Sequence, residues 1–384
     1  MTLWFDDFAL LLRWFHLVIG IGWIGASFYF VWLNNAVRPP SPPNPGVAGE
    51  LWSVHGGAFY RVVKAAGAPS PLPDPLHWFQ WEAYLTWLSG LCLLILGFWM
   101  QPAAMVDPSV ASMSGPVAAA VGAATLAFGW VVYDLACRTL SAHPLKLASL
   151  LSAYVASTTF VLFHLLSPRA ALLHVGAMLG TWMAANVWTV IIPGQRAMVA
   201  ALVAGKPPPL ERGAAGALRS LHNNYLTFPV LFTMLGGHFP GIIGHTSGWA
   251  IVLGLFAASL GVKHHLNLHE RGESAPWALP FGLILAVGSL YAARPAPSVG
   301  GTAVPVAKIQ QIIAMRCLPC HATAPFQTGF SAPPKNLVLE TPTQIDAARS
   351  LIRAQVVTSH IMPLGNLTGM TEEERVLVDR WSAP

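Results

Sequence analysis

Long apolar runs recur along this chain at eight places: 8–33, 78–100, 116–137, 145–166, 170–192, 221–239, 247–266 and 276–293. Each is close to the roughly 20 residues needed to cross a bilayer core about 30 Å thick at about 1.5 Å per residue. The sixth is the least apolar, because Pro229 and the polar His222-Asn223-Asn224 interrupt it. After Ala293 the stretch Arg294-Pro295-Ala296-Pro297-Ser298-Val299-Gly300-Gly301 cannot continue a helix and reads as a linker over 294–302. Beyond it the hydropathy drops, and 303–384 mixes seven Lys and Arg with six acids, as a small soluble domain does. The pattern therefore predicts an all-α chain: an eight-helix transmembrane domain over 1–293, the linker, and a small C-terminal domain. No internal repeat is evident. The opening Met1-Thr2-Leu3-Trp4-Phe5-Asp6-Asp7 lacks the basic start of a cleavable signal peptide, so the first helix is expected to be retained.

Composition supports the membrane class. Of 384 residues, 54% are apolar and 10% charged, against roughly 25% charged in a soluble domain. The net charge of +5 is spread through short loops rather than gathered on one surface, which argues against a nucleic-acid partner and makes the lipid bilayer the expected one. Basic residues accumulate on the cytoplasmic side of a membrane protein. Eleven Lys and Arg lie in or beside the loops after runs one, three, five and seven, while the opposite side has only Arg169 and Arg294, with Arg13 inside the first run. Both termini are thus expected on the outer side. Four cysteines are too few for a disulfide framework, and Cys92 and Cys137 fall in apolar runs, where buried inert thiols are the plain reading.

The other two cysteines carry chemistry. Cys317-Leu318-Pro319-Cys320-His321 has the spacing of covalent haem c attachment, two thiols for the porphyrin edge and a histidine for the iron. A thiol redox pair is the competing reading. A helical run over 306–316 precedes the motif, a helix is expected around 343–357, and Thr371-Glu372-Glu373-Glu374 reads as a capping box for a closing helix. This is the order of a class I-like cytochrome c domain. Such domains take a second iron ligand from a downstream loop; Met362, followed by Pro363, is the candidate, with Met370 and His360 as competitors. Bacterial cytochromes c receive their haem outside the inner membrane, the side on which the loop charges place the C-terminus.

Ionisable side chains at membrane depth are costly and point to function. His16, His164, His174 and His238 all fall toward the outer ends of their runs and are candidate axial ligands for a buried haem b, although an interhelical hydrogen bond is the plain alternative for any one of them. The inner side holds His55-Gly56-Gly57-Ala58-Phe59-Tyr60, His77, Glu82, Asp134, Asn186, His222-Asn223-Asn224-Tyr225, and His264, His265 and His269. Together these form a candidate polar substrate pocket. Glu82 is the candidate general base, followed by His55 and His222, while Gly56, Gly57, Tyr60, Asn186, Asn223, Asn224 and Tyr225 are candidates to hold a planar polar ligand. The spacing of His264, His265 and His269 also allows a metal.

The segments Arg13-Trp14-Phe15-His16, Gly20-Ile21-Gly22-Trp23-Ile24-Gly25, Trp52-Ser53-Val54-His55-Gly56-Gly57-Ala58-Phe59-Tyr60 and Trp81-Glu82-Ala83-Tyr84-Leu85-Thr86-Trp87 form a wider pattern, continued by Ala184-Ala185-Asn186-Val187, Pro193-Gly194-Gln195-Arg196 and His222-Asn223-Asn224-Tyr225. On these the chain resembles the bacterial membrane-bound urate oxidases, or urate hydroxylases, along essentially its whole length. The resemblance implies an inner-membrane protein of eight helices with a periplasmic cytochrome c domain, acting in purine catabolism. It implies oxidation of urate to 5-hydroxyisourate with water as oxygen source, electrons passing to haem c and on to an acceptor such as a soluble cytochrome or a terminal oxidase. Two alternatives stand beside it. One is a membrane dehydrogenase for quinol or another small substrate feeding cytochrome c; the other is a transporter or assembly factor with a tethered cytochrome.

Overall fold

The structure, a computed structural model, describes residues 3–294, 304–327, 330 and 332–383; the linker from residue 295 onward lies outside them. Helices dominate: α1 (Leu3–Ala36), α2 (Trp81–Leu94), a short α3 (Pro102–Met105), α4 (Gly115–Leu140), α5 (Pro144–Phe163), α6 (Pro168–Asn186), α7 (Ile192–Val203), α8 (Leu210–Gly236), a short α9 (Pro240–Ile243), α10 (Gly248–Glu270) and α11 (Ala278–Ala292). Among the described residues, six helical stretches are long and apolar enough to cross a membrane: Asp7–Ala36, Trp81–Trp99, Gly115–Leu140, Pro144–Phe163, Pro168–Val203 and Gly248–Glu270. These are the first five predicted runs and the seventh. Polar Arg219, His222, Asn223 and Asn224 lower the hydropathy of α8, and α11 is apolar but only 15 residues long.

α6 and α7 form one rod, Pro168–Val203, through the π-helical turn Val187–Ile191. Pro193 has no N–H for the carbonyl four residues back, and a widened turn before it accommodates the missing bond without ending the helix. The rod therefore runs past the predicted end at Ile192. It is the most buried of the six stretches, packed by α2, α4, α5 and α8. Small residues set these approaches. Gly122 and Gly129 of α4 lie against His174 and Met178 of α6, and Gly176 of α6 lies against Thr233 of α8. Tyr133, Leu162, Leu172, Met178, Trp182 and Phe256 fill the core between them.

One element departs from the all-α class. Strands β1 (Val47–His55) and β2 (Ala58–Ala65) pair antiparallel, with His55 opposite Ala58 across a two-residue turn. Gly56 and Gly57 have φ of 58° and 78°, the left-handed pair that such a turn requires and glycine supplies without strain. The predicted first loop is thus a hairpin, held to the end of α1 by the bridge between Arg38 and Glu50 and by Lys64 donating to Asn34.

The C-terminal residues build a second apolar cluster. α12 (Val306–Arg316), α13 (Leu318–His321), α14 (Pro342–Ala347), α15 (Arg349–Ile352) and α16 (Glu372–Ser382) surround Ile309, Ile312, Ile313, Ile352, Val378 and Trp381. The helix expected around 343–357 is broken at Ala348 and ends in a π-helical turn, Arg353–Thr358. The capping box forms as expected: Thr371 Oγ1 accepts from Glu374 N, and Glu374 accepts from Thr371 N at 3.0 Å. This cluster docks on the helical bundle through the loop before α16. Ile361 packs against the bundle core, Gly365 meets the carbonyls of Ala103 and Val106, and Ser359 meets Gly244.

Candidate functional site

A tyrosine in an otherwise apolar helix is the centre of a buried polar network. Tyr133 of α4 is fully buried and stacks on Trp182 of α6, ring centres 4.5 Å apart and planes 13° from parallel. Its hydroxyl accepts from Asn186 Nδ2 at 2.8 Å and shares a 2.9 Å hydrogen bond with His222 Nδ1. Asn186 donates also to Asn223 Oδ1 at 2.8 Å, and Asn223 donates to the Met183 carbonyl at 3.0 Å. Arg219 completes the set: one amino group donates to Asn186 Oδ1 at 3.2 Å and the other to Asp134 Oδ1 at 2.7 Å, while the guanidinium lies 4.8 Å from the Tyr133 ring centre. A buried cation with its counter-ion and every amide engaged is a satisfied network. The Tyr133 hydroxyl and His222 imidazole are placed to hand a proton between them.

Other inner-side candidates fall elsewhere. His55, Gly56, Gly57 and Tyr60 are exposed on the hairpin. Glu82 stands in the first turn of α2, half-buried, and its carboxylate has no hydrogen bond or ion pair among the described residues. Tyr225 shares a 2.7 Å hydrogen bond with His264 Nδ1 across α8 and α10. Asn224, next in sequence to Asn223, turns away from the network, and both its amide atoms are buried without a partner. Among the described residues no three His, Cys, Asp or Glu side chains gather as for a metal ion, so His264, His265 and His269 do not converge on one.

The outer histidines are likewise separate. His174 is fully buried with both nitrogens engaged: Nδ1 pairs with the Ala170 carbonyl at 2.7 Å, and Nε2 accepts from Trp99 Nε1 at 2.9 Å. Gly122 is in close contact with that ring, where even a Cβ would clash. His16 Nδ1 pairs with Ser89 Oγ at 3.0 Å, and His164 and His238 are exposed at helix ends. His174, the most buried of the four, does not fit as an axial ligand of haem b, since it has no free nitrogen and no room at its edge.

The C-terminal motif does fit its group. His321 Nδ1 pairs with the Leu337 carbonyl at 2.9 Å, which fixes the ring and directs Nε2 to a metal, the arrangement expected of a ligating histidine. Cys317, Leu318, Leu337 and Met362 pack on one apolar cluster. Burial, with Cys320 and Glu374 beside it, pushes the Cys317 thiol up to about 12. A thiol redox pair needs the opposite, a lowered thiol. Of the competing ligands, His360 faces Glu372 at 3.8 Å, while Met370 is buried in the core with its backbone held by the Asn366 side chain.

Residues 2–293 match the family model described as Urate oxidase N-terminal. The chain belongs to that family. No curated protein and no solved structure matches it. The matched residues of this urate oxidase N-terminal domain contain the whole Tyr133 network and all the outer histidines. Sequence reasoning placed Asn186, His222 and Asn223 together but missed Tyr133 and Trp182, and counted Arg219 only as a loop charge. The available signal was an arginine within a turn of a His-Asn-Asn triplet, a side chain that a helix presents on a neighbouring face.

Proposed function

We propose that the chain is a membrane-bound urate oxidase, a urate hydroxylase, that delivers electrons to a haem c held by its own C-terminal domain. The family match over residues 2–293 carries this reading. The haem would be bound covalently through Cys317 and Cys320, with His321 and Met362 as iron ligands, and when bound it would supply a one-electron acceptor, so that each urate calls for two successive transfers, either to one haem reoxidised between them or to the haems of two molecules. Conversion of urate to 5-hydroxyisourate adds the oxygen of one water at C5 and releases two electrons and two protons. The domain must therefore fix a planar anion, hold the attacking water, and remove protons.

The Tyr133–His222 pair is suited to proton removal, with Asn186 orienting the hydroxyl and Arg219 oriented in turn by Asp134. Glu82, unpaired and half-buried, is a second candidate base. Docking of the Met362 loop on α3 and α9 seats the C-terminal domain at the helix ends that the loop charges assign to the outer side, which supports a periplasmic haem c domain on an inner-membrane bundle. The downstream acceptor would be a soluble cytochrome or a terminal oxidase.

The test is anaerobic. Purified protein, oxidised and then given urate under argon, develops the reduced haem c absorption bands, and oxygen from labelled water enters the product. Protein that ascorbate reduces and urate does not would overturn the reading; reduction by a quinol alone would replace it with quinol oxidation.

A further inference from the structure

Between the C-terminal ends of α1 and α10 and the middle of α8 lies a cleft of about 360 Å³, lined by Phe28, Tyr29, Val31, Trp32, Phe228, Lys263, Leu266 and Glu270. Its volume is at the lower end of the roughly 300–1,000 Å³ of small-molecule sites. Lys263 is 4% exposed, yet it forms no hydrogen bond or ion pair with any described residue. Its ammonium lies 4.2 Å from the Phe28 ring centre and 5.5 Å from that of Phe228. Two aromatic faces offset part of the cost of burying the charge, but they give its N–H groups no acceptor. A bare buried ammonium is among the most costly groups a membrane helix can carry.

Glu270, at the last turn of α10, lines the same cleft and is the acid nearest in charge to Lys263, but it forms no ion pair with it and accepts from Asn35 Nδ2 of α1 at 3.4 Å. A second, independent observation lies beside the cleft. Asn224 is one turn from Phe228, and Asn267 is one turn from Lys263. Both are buried, and both atoms of each amide are without a partner. The contacts between Tyr225 and His264 and between Phe228 and Lys263 set α8 and α10 antiparallel, which brings Asn224 and Asn267 to one level. Buried amides are rarely left unsatisfied.

We propose that this cleft, with Lys263 as its anion-binding residue, is the binding site for a planar purine anion, which on the function proposed above is urate. The lining matches that chemistry at both ends. Lys263 meets the negative edge, Glu270 accepts from ring N–H groups, and Phe28 and Phe228 cover the faces. A phosphatidylglycerol headgroup has no N–H to offer Glu270, and a quinol brings no charge for Lys263.

Binding is measured on the full-length protein kept reduced with ascorbate, so that turnover does not intervene, by equilibrium dialysis of labelled urate. Wild type binds at one saturable site. Lys263→Met weakens binding about a hundredfold, as loss of a buried charged partner does, while Lys263→Arg stays within about tenfold and both keep the wild-type absorption spectrum. On wild type alone, saturating urate slows amidination of Lys263 by methyl acetimidate, read by peptide mass spectrometry, and neutral hypoxanthine at the same concentration does not. Binding by Lys263→Met as tight as wild type, or labelling of Lys263 at one rate with and without urate, overturns the site. So does protection that follows phosphatidylglycerol in nanodiscs and ignores urate. If urate still reduces a haem c whose Lys263→Met variant binds normally, the cleft fails and the function stands. A wild type that urate neither occupies nor reduces removes both.

Discussion

Arg219 and Lys263 both count among the basic residues near inner helix ends, yet each side chain is almost fully buried and they solve that burial differently. Arg219 has Asp134, Asn186 and the Tyr133 face, a fork-shaped cation matched to fixed acceptors. Lys263 has two aromatic faces and no hydrogen bond or ion pair among the described residues, with Glu270 in the same cleft. A charge count along the sequence treats them alike, because the acceptor that distinguishes them lies 33 to 85 residues away in the chain. In the C-terminal domain a comparable ambiguity concerns sulfur. Met362 packs with Cys317 and Leu337, and its carbonyl accepts from Arg375 at 2.9 Å, whereas Met370 is 4% exposed and fills the core. Met362→Ala should keep covalent haem on a denaturing gel and lose the weak near-infrared sulfur-to-iron band. Met370→Ala should keep the band and cost about 2–5 kcal/mol of stability, as core truncations do. The reverse pattern would move the iron ligand to Met370.

Helices were legible where an apolar run had no competing local structure, and the motif helix 306–316 matches α12 to the residue. The hairpin was not read, although its signals are present: apolar and polar residues alternate through Trp52–His55, and Gly56-Gly57 is a two-residue turn. Its exposed Trp52, Val54 and Phe59 lack the burial that normally fixes a strand's register, so a loop described the same residues equally well. Tyr133 was hidden for the opposite reason, since one tyrosine in an apolar helix is ordinary until Asn186 and His222 arrive from other helices. Those helices meet because of small residues. A Cβ on Gly176 would clash with Thr233 Oγ1 on α8, whereas one on Gly180, a turn along the same helix, would meet nothing within 4 Å. Gly176→Ala should therefore push α8 from α6 and lower stability by about 1–3 kcal/mol, read as a lower melting temperature in detergent. Gly180→Ala should leave the melting temperature unchanged or raise it, since alanine is the better helix former. Equal effects at the two positions would mean that α6 and α8 do not approach at Gly176.

Over the whole molecule, the two polar inventories separate along the bundle. The C-terminal domain sits on α3 and α9 through Ile361 and Gly365, at one end of the helices. The cleft around Lys263 and the Tyr133 network lie toward the other end, which carries eleven of the fourteen Lys and Arg found before residue 303. Urate is anionic near neutral pH, and an excess of cations around the inner loops raises its local concentration there. On the proposed function and the orientation expected from the loop charges, substrate should therefore enter from the cytoplasm while electrons leave toward the periplasmic side. Protons taken up by the Tyr133–His222 pair, on the same proposal, need not cross with them, because the pair lies toward the same end of the bundle as the cleft. Sealed vesicles of known orientation test this directly. With urate supplied only at the cytoplasmic face, haem c should be reduced within the mixing time, and with urate confined to the opposite face reduction should wait for leakage. Adding salt to the cytoplasmic side should slow the first reaction, since steering by exposed charges is screened over about 10 Å at 0.1 M ionic strength. Rapid reduction by urate held at the periplasmic face, in vesicles shown to be tight, would place the substrate opening beside the C-terminal domain and reverse the polarity of the bundle.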